Sequence, residues 1–263
     1  MSNHDEPYYT WAMRRLLLPL LSAALLSAAL PFAASSQDFE REQRWKSEVL
    51  ANLVVGDAVD LKGPAGRTFL GLYADGRKEQ PAVLLVHGRG VHPDHGVIGI
   101  LRGALADRGY ATLSIQMPVL GAEAPIRDYY PALFPDASAR IAAGRAWLST
   151  KGHRQVVLLS HSLGSWMSQY HLEQGAAAPF VAWVCMGHGA ELAKPGAIGV
   201  PVLEIYGESD YEVVLKAVAA RRDGIGRLPR WQQRMISGAD HFYTGREAEL
   251  AEQIAAFMKS MGR

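Results

Sequence analysis

Ser162, Asp210 and His241 lie far apart in the chain, and residues of these three types can together activate an alcohol for attack on a carbonyl. A serine hydroxyl is a weak nucleophile at neutral pH. It becomes effective when an imidazole takes its proton and a carboxylate fixes the imidazole tautomer and stabilises its cation. Ser162 sits in VVLLSHSLG (Val156 to Gly164), where a β-branched and leucine run passes into Ser-x-Ser-x-Gly and then an amphipathic segment. A sharp strand-to-helix turn of this kind lifts the serine above the strand ends in a strained conformation, and it needs small neighbours where helix and strand nearly touch. The first position of the pattern, usually glycine, is Ser160 here, which adds a Cβ and a hydroxyl.

Asp210 follows the apolar run Pro201 to Tyr206, in the turn Gly207-Glu208-Ser209-Asp210. Glu208 and Glu204 are alternative carboxylates, and Asp210 could instead serve only as the N-cap of the next helix. His241 lies in Gly-Ala-Asp-His-Phe-Tyr after the last apolar run, on a loop able to fold back over a sheet edge toward Ser162. Asp240, its immediate neighbour, is badly placed to hold its ring. The chain order Ser, Asp, His favours this trio over three unrelated residues. Oxyanion stabilisation would fall to two backbone N–H groups, those of Leu163 and of Arg89 in the turn His87-Gly88-Arg89-Gly90.

Several neighbours are candidates for the substrate-lining surface. His161 and His188 follow or flank predicted strand ends. The loop Met117 to Pro135 carries Tyr129, Tyr130 and Phe134, some expected to wall the acyl side and some to pin the loop to the core. The Arg89 side chain is placed to meet an anionic substrate group or a surface carboxylate. His87, His92 and His95 cluster without the ligand spacing or accompanying carboxylates of a metal site, so neither metal nor organic cofactor is expected. Only about a dozen residues separate Gly187 from Gly199, too few for a packed cap, so the site should be open.

The elements that must position these residues alternate along the chain. Strands are expected at Thr68 to Tyr73, Ala82 to His87, Ala111 to Gln116, Gln155 to Ser160, Phe180 to Met186, Pro201 to Tyr206 and Trp231 to Ile236. Helices are expected at Phe39 to Leu53, His95 to Arg108, Ala137 to Thr150, Leu163 to Gln174, Val213 to Asp223 and Arg246 to Met261. Apolar strands separated by amphipathic helices predict a parallel sheet covered on both faces, with its ligand crevice beyond the carboxyl ends of the strands.

In strand rhythm, elbow, acid turn and terminal histidine loop, the chain resembles the α/β-hydrolase superfamily over roughly Arg67 to Met261. The segments His-Gly-Arg-Gly-Val-His-Pro-Asp and Gly-Ala-Asp-His-Phe-Tyr look most like small exported bacterial members of unassigned substrate. The resemblance implies an α/β-hydrolase fold, with a mostly parallel central sheet, helices on both faces and no substantial cap domain. It also implies serine hydrolase chemistry on a small ester or acyl substrate, esterase or thioesterase-like. Two alternatives remain open on the same fold: a catalytically silent envelope binding protein, and an acyltransferase.

The 263 residues, 49% hydrophobic and 20% charged, suit one globular domain with a sizeable core. A net charge of +1 and the absence of a basic run interleaved with aromatics exclude a nucleic-acid role. Arg14-Arg15, an uncharged Leu/Ala-rich run to Gln37 and the small residues Ala34 and Ser36 have the layout of an export signal over residues 1–36. Met13 is an alternative start, and an uncut membrane anchor is the alternative to cleavage. The expected mature domain is 37–263, periplasmic or secreted, with no stable membrane span. The single cysteine, Cys185, lies in an apolar run and can form no intrachain disulfide. Nothing here sets the oligomeric state.

Overall fold

Every side chain of the strand Ala82–Val86 is buried, which requires cover on both faces. Val83 and Leu85 enter one apolar cluster with Val97, Leu101, Leu250 and Ile254. Ala82, Leu84 and Val86 enter another with Ile141, Leu148, Leu163 and Met167. The two-residue period of the strand therefore separates two cores, one on each side of a single sheet.

The computed structural model describes residues 37–130, 132–175, 180–225 and 230–261; the export signal expected in residues 1–36 lies outside them. The chain runs α1 (Phe39–Asn52), β1 (Asp57–Lys62), β2 (Thr68–Ala74), β3 (Ala82–Val86), α2 (Gly96–Asp107), β4 (Thr112–Ile115), α3 (Ile126–Tyr129), α4 (Phe134–Thr150) and β5 (Val156–His161). It continues through α5 (Leu163–Glu173), β6 (Ala182–Met186), β7 (Val202–Ser209), α6 (Glu212–Ile225), β8 (Trp231–Asp240) and α7 (Glu247–Ser260). The strands form one sheet in the order β1-β2-β4-β3-β5-β6-β7-β8. Pairings from β4 across to β8 are parallel, and α4 and α5 cover the face opposite α2 and α7.

The far edge departs from the expected pattern. β2 is antiparallel to β4, and β1, unpredicted, is antiparallel to β2. Asp57 to Lys62 intersperses charged with apolar residues and buries only Leu61, the pattern of an outer strand. The turn at Gly63 to Arg67, closed by Gly63 N–H donating to the Arg67 carbonyl at 2.7 Å, is long enough for a hairpin and too short for a parallel crossover. The helices and parallel strands fall within a few residues of expectation. Among the described residues no helix is long and apolar enough to cross a membrane.

Candidate active site

Ser162 occupies the turn between β5 and α5 with φ 56° and ψ −125°, a conformation that costs a non-glycine residue about 1–3 kcal/mol. Close packing enforces it. A Cβ on Gly164 would lie 2.4 Å from the His87 carbonyl oxygen and 2.7 Å from that of Val86, so only glycine admits α5 this near β3. The departure at Ser160 is absorbed locally: its fully buried hydroxyl accepts from Trp183 Nε1 at 2.9 Å and faces the Val184 carbonyl. An elbow serine in place of glycine thus gains a partner and does not distort the turn.

The three residues separated in sequence meet here. His241 Nε2 lies 2.9 Å from Ser162 Oγ, and Nδ1 lies 2.6 Å from Asp210 Oδ1. Asp210 is held by N–H groups of its own turn, accepting from Tyr211 at 2.8 Å and Gly207 at 3.3 Å. His241 is 4% exposed, and its ring is stacked on Tyr211 at 4.2 Å between ring centres. His161 steadies it from behind, donating Nε2–H to the His241 carbonyl at 2.9 Å. Burial pushes the His161 ring down to about 4, which keeps it neutral and fixes that donor tautomer near pH 7.

The alternative carboxylates are committed elsewhere. Glu204 is fully buried and paired with Arg221, whose Nε donates to it at 2.8 Å, while Trp231 Nε1 and Gln233 Nε2 satisfy its second oxygen. Glu208 is exposed and accepts from Ser237 and Gly238. Asp240 closes its own loop by accepting from Phe242 N, Thr244 N and Thr244 Oγ1.

The turn His87 to Gly90 passes directly over the serine, a Cβ on Gly88 lying 3.3 Å from Ser162 Cβ. Among the described residues the N–H groups of Arg89 and Leu163 have no hydrogen-bond partner. His87 anchors the turn: its Nε2 accepts from Met117 N at 2.9 Å and its Nδ1–H donates to the Gly88 carbonyl at 2.9 Å. Burial drives this ring to about 3, so it stays neutral in that tautomer. His92 and His95 lie edge to face with each other at 5.4 Å.

Sequence reasoning missed Arg41, on α1. Its guanidinium donates Nη2–H to the Gly90 carbonyl at 3.0 Å and Nη1–H to the Leu120 carbonyl at 2.9 Å, tying together the loops after β3 and β4. The buried Glu42–Arg140 pair, at 2.9 Å, fastens α1 to α4. No local signal marks this role, because a polar, half-buried helix such as α1 looks the same whichever carbonyl its arginine meets.

A cavity of about 880 Å³ opens over Ser162. His161 and Tyr130 line it, Tyr130 stacking on Trp166 at 5.2 Å. Tyr129 and Phe134 instead pin the loop, both buried, with Tyr129 Oη accepting from Leu120 N. His188, a candidate for either the crevice wall or the packed interior, is fully buried against Trp183 and does not line the cavity. The turn after β6 is pulled inward by Arg221, which binds the His188 and Ala190 carbonyls. The Arg89 side chain lines the cavity and donates to the Ala124 carbonyl at 3.3 Å. Between Gly187 and Gly199 there is one short turn of helix, Pro195–Ala197, and no cap.

A model of a family described as "Protein of unknown function (DUF3530)" matches residues 19–138. No curated protein matches the sequence. Among solved structures, a dienelactone hydrolase from Anabaena variabilis is similar with a TM-score of 0.64 at 20% identity, over 78% of this chain and 96% of that one. A lidless α/β serine hydrolase from Xanthomonas campestris gives 0.56 at 16% identity, over 76% and 91%. An esterase from Rhodococcus gives 0.54 at 13% identity, over 78% and 99%. With this strand order, the helices on both faces and these likenesses, the chain has the α/β-hydrolase fold.

Proposed function

We propose that the protein is a serine hydrolase that cleaves carboxylic esters, with Ser162 as nucleophile, His241 as general base and acid, and Asp210 as the group that orients the imidazole. The observation that carries this reading is the continuous chain from Asp210 through His241 to Ser162, at 2.6 and 2.9 Å, opening on a cavity. It is further supported by fold neighbours that include a dienelactone hydrolase and an esterase.

In this mechanism Ser162 Oγ bonds to the ester carbonyl carbon while its proton passes to His241 Nε2, and the carbonyl π electrons move onto oxygen. The Leu163 and Arg89 N–H groups receive that oxyanion, each donor contributing about 3–4 kcal/mol in comparable sites. The tetrahedral species collapses, the carbon–alkoxy bond breaks, and the departing alcohol takes the proton from Nε2. A water then repeats the sequence on the acyl-serine, releasing the acid and restoring Ser162. The absence of a cap between Gly187 and Gly199 gives water free access, which favours hydrolysis over acyl transfer. We place the reaction outside the cytoplasm on the strength of the export layout of residues 1–36.

A fluorophosphonate probe is expected to label the purified protein on Ser162. The Ser162→Ala variant should lose both labelling and hydrolysis of p-nitrophenyl acetate. Folded wild-type protein that stays unlabelled, or undiminished hydrolysis by the variant, rejects the reading.

A further inference from the structure

Of the residues that α5 turns toward the cavity, Leu163, Trp166, Tyr170 and Glu173 recur every three or four positions, with Gln169 beside Tyr170. They form one stripe along the helix, starting beside Ser162 and running about 15 Å at the usual rise per residue. Its middle is aromatic: Trp166 is stacked by Tyr130, and Phe134 packs between Trp166 and Tyr170 at 5.0 and 5.7 Å. Its end is polar. Gln169 Nε2 donates to Glu173 Oε1 at 3.0 Å and to the Glu191 carbonyl at 2.8 Å, and Glu173 also accepts from Lys194 N.

The mouth is apolar as well. Ile100, Ile126, Tyr130, Tyr211, Val213 and Phe242 are each between 45% and 60% exposed, and all six border this cavity. They come from four segments, at α2, α3, the start of α6 and the loop after β8, so their convergence on the mouth is a property of the fold and not of one greasy stretch. Large apolar side chains left in water around a site mark a surface that an apolar ligand covers. Because the patch borders the same cavity as Ser162, its occupant would also bring the scissile group there.

Resting on the hydrolase reading, we propose that the substrate is an ester with an unbranched apolar chain of about eight to twelve carbons, lying along the α5 stripe from Ser162 toward Glu173. The length follows from the stripe, since an extended chain advances roughly 1.2 Å per bond. The polar end at Gln169 and Glu173 sets the limit, because a longer chain would bring methylenes against groups that need hydrogen-bond partners.

The test is a p-nitrophenyl ester series from acetate to palmitate below the micellar range, together with calorimetric binding of the straight-chain acids to the Ser162→Ala protein. kcat/KM should rise about two- to fourfold per methylene, the upper value being the ~0.8 kcal/mol of a fully buried CH₂, and level off near ten to twelve carbons. Acid binding should tighten over the same range. In Trp166→Ala the advantage of decanoate over acetate should fall at least tenfold. Hydrolysis that is fastest for acetate, with no tightening of binding by longer acids, overturns the chain proposal and leaves the hydrolase reading standing. Chain-length-dependent binding without any hydrolysis supports the groove while rejecting the hydrolase reading.

Discussion

Gly187, at the carboxyl end of β6, adopts φ +56° directly beneath the His241 ring. A methyl group there would lie 2.8 Å from His241 Cε1, 3.0 Å from Nδ1 and 3.6 Å from Asp210 Oδ2. Carbon atoms settle about 3.5–4.0 Å apart, so the ring in Gly187→Ala must retreat by roughly 0.7 Å. The Nε2 to Ser162 Oγ distance of 2.9 Å would then lengthen, to about 3.6 Å at most, at or beyond the limit of a hydrogen bond. A displacement near 1 Å in a reacting group costs about 10²-fold, so kcat should fall by about that factor while KM stays near its wild-type value. The positive φ adds a stability cost of about 1–2 kcal/mol, which must be separated from the catalytic effect. Gly152 provides the control, with φ +87° and open space within 4 Å of its Cβ position. Steady-state p-nitrophenyl ester hydrolysis, fluorophosphonate labelling rate and thermal melting, measured on both alanine variants, distinguish strain from displacement. Both should melt earlier, and only Gly187→Ala should lose turnover and labelling. A Gly187→Ala protein with wild-type kcat would refute the argument that the His241 position at Ser162 governs the chemistry.

Asp210→Asn should lower kcat about 10³- to 10⁴-fold with the fold retained, by holding the wrong tautomer of His241. Glu204→Gln should instead destabilise by about 3–5 kcal/mol in urea unfolding, because it leaves the Arg221 charge buried without its counter-ion; the opposite pattern would make Glu204 the acid. Acid should also weaken the fold before the carboxylates titrate. Burial lowers His87 to about 3 and His161 and His171 to about 4, whereas the unfolded chain takes up these protons near pH 6.5. Between pH 6.5 and 4 the unfolded state therefore binds more protons, and stability falls as pH falls, by up to about 1.4 kcal/mol per pH unit for each ring. Thermal melting recorded from pH 7 to 4.5 checks this, and a flat midpoint across that range would show that these rings are charged in the fold.

Most of the sheet was legible in the sequence because its strands are buried on both faces. Val83 to Val86, Val156 to Leu159 and Ala182 to Met186 each stand out against amphipathic neighbours. The meeting of Ser162, Asp210 and His241 was legible too, since each follows a strand whose carboxyl end lies at one edge of the sheet. β1 was not, because a strand that buries one residue in six carries no hydrophobic run to detect. Glu204 illustrates a different blind spot. Its place one strand residue before Ile205 makes it look available, and only the fold shows Arg221, Trp231 and Gln233 converging on it from three other positions. The division of labour among Tyr129, Tyr130 and Phe134 was equally hidden, as α3 ends between the two tyrosines and leaves the first buried and the second exposed.

Arg41 gives this architecture an unusual economy. One guanidinium grips the backbone of two loops, at Gly90 in the turn after β3 and at Leu120, where the chain sets out toward Tyr130. The turn over Ser162 and the loop leading to Tyr130 thus share a single fastening. Loosening the second loop would slacken the first as well, so the two are geared to one another through a residue that touches neither Ser162 nor the cavity wall.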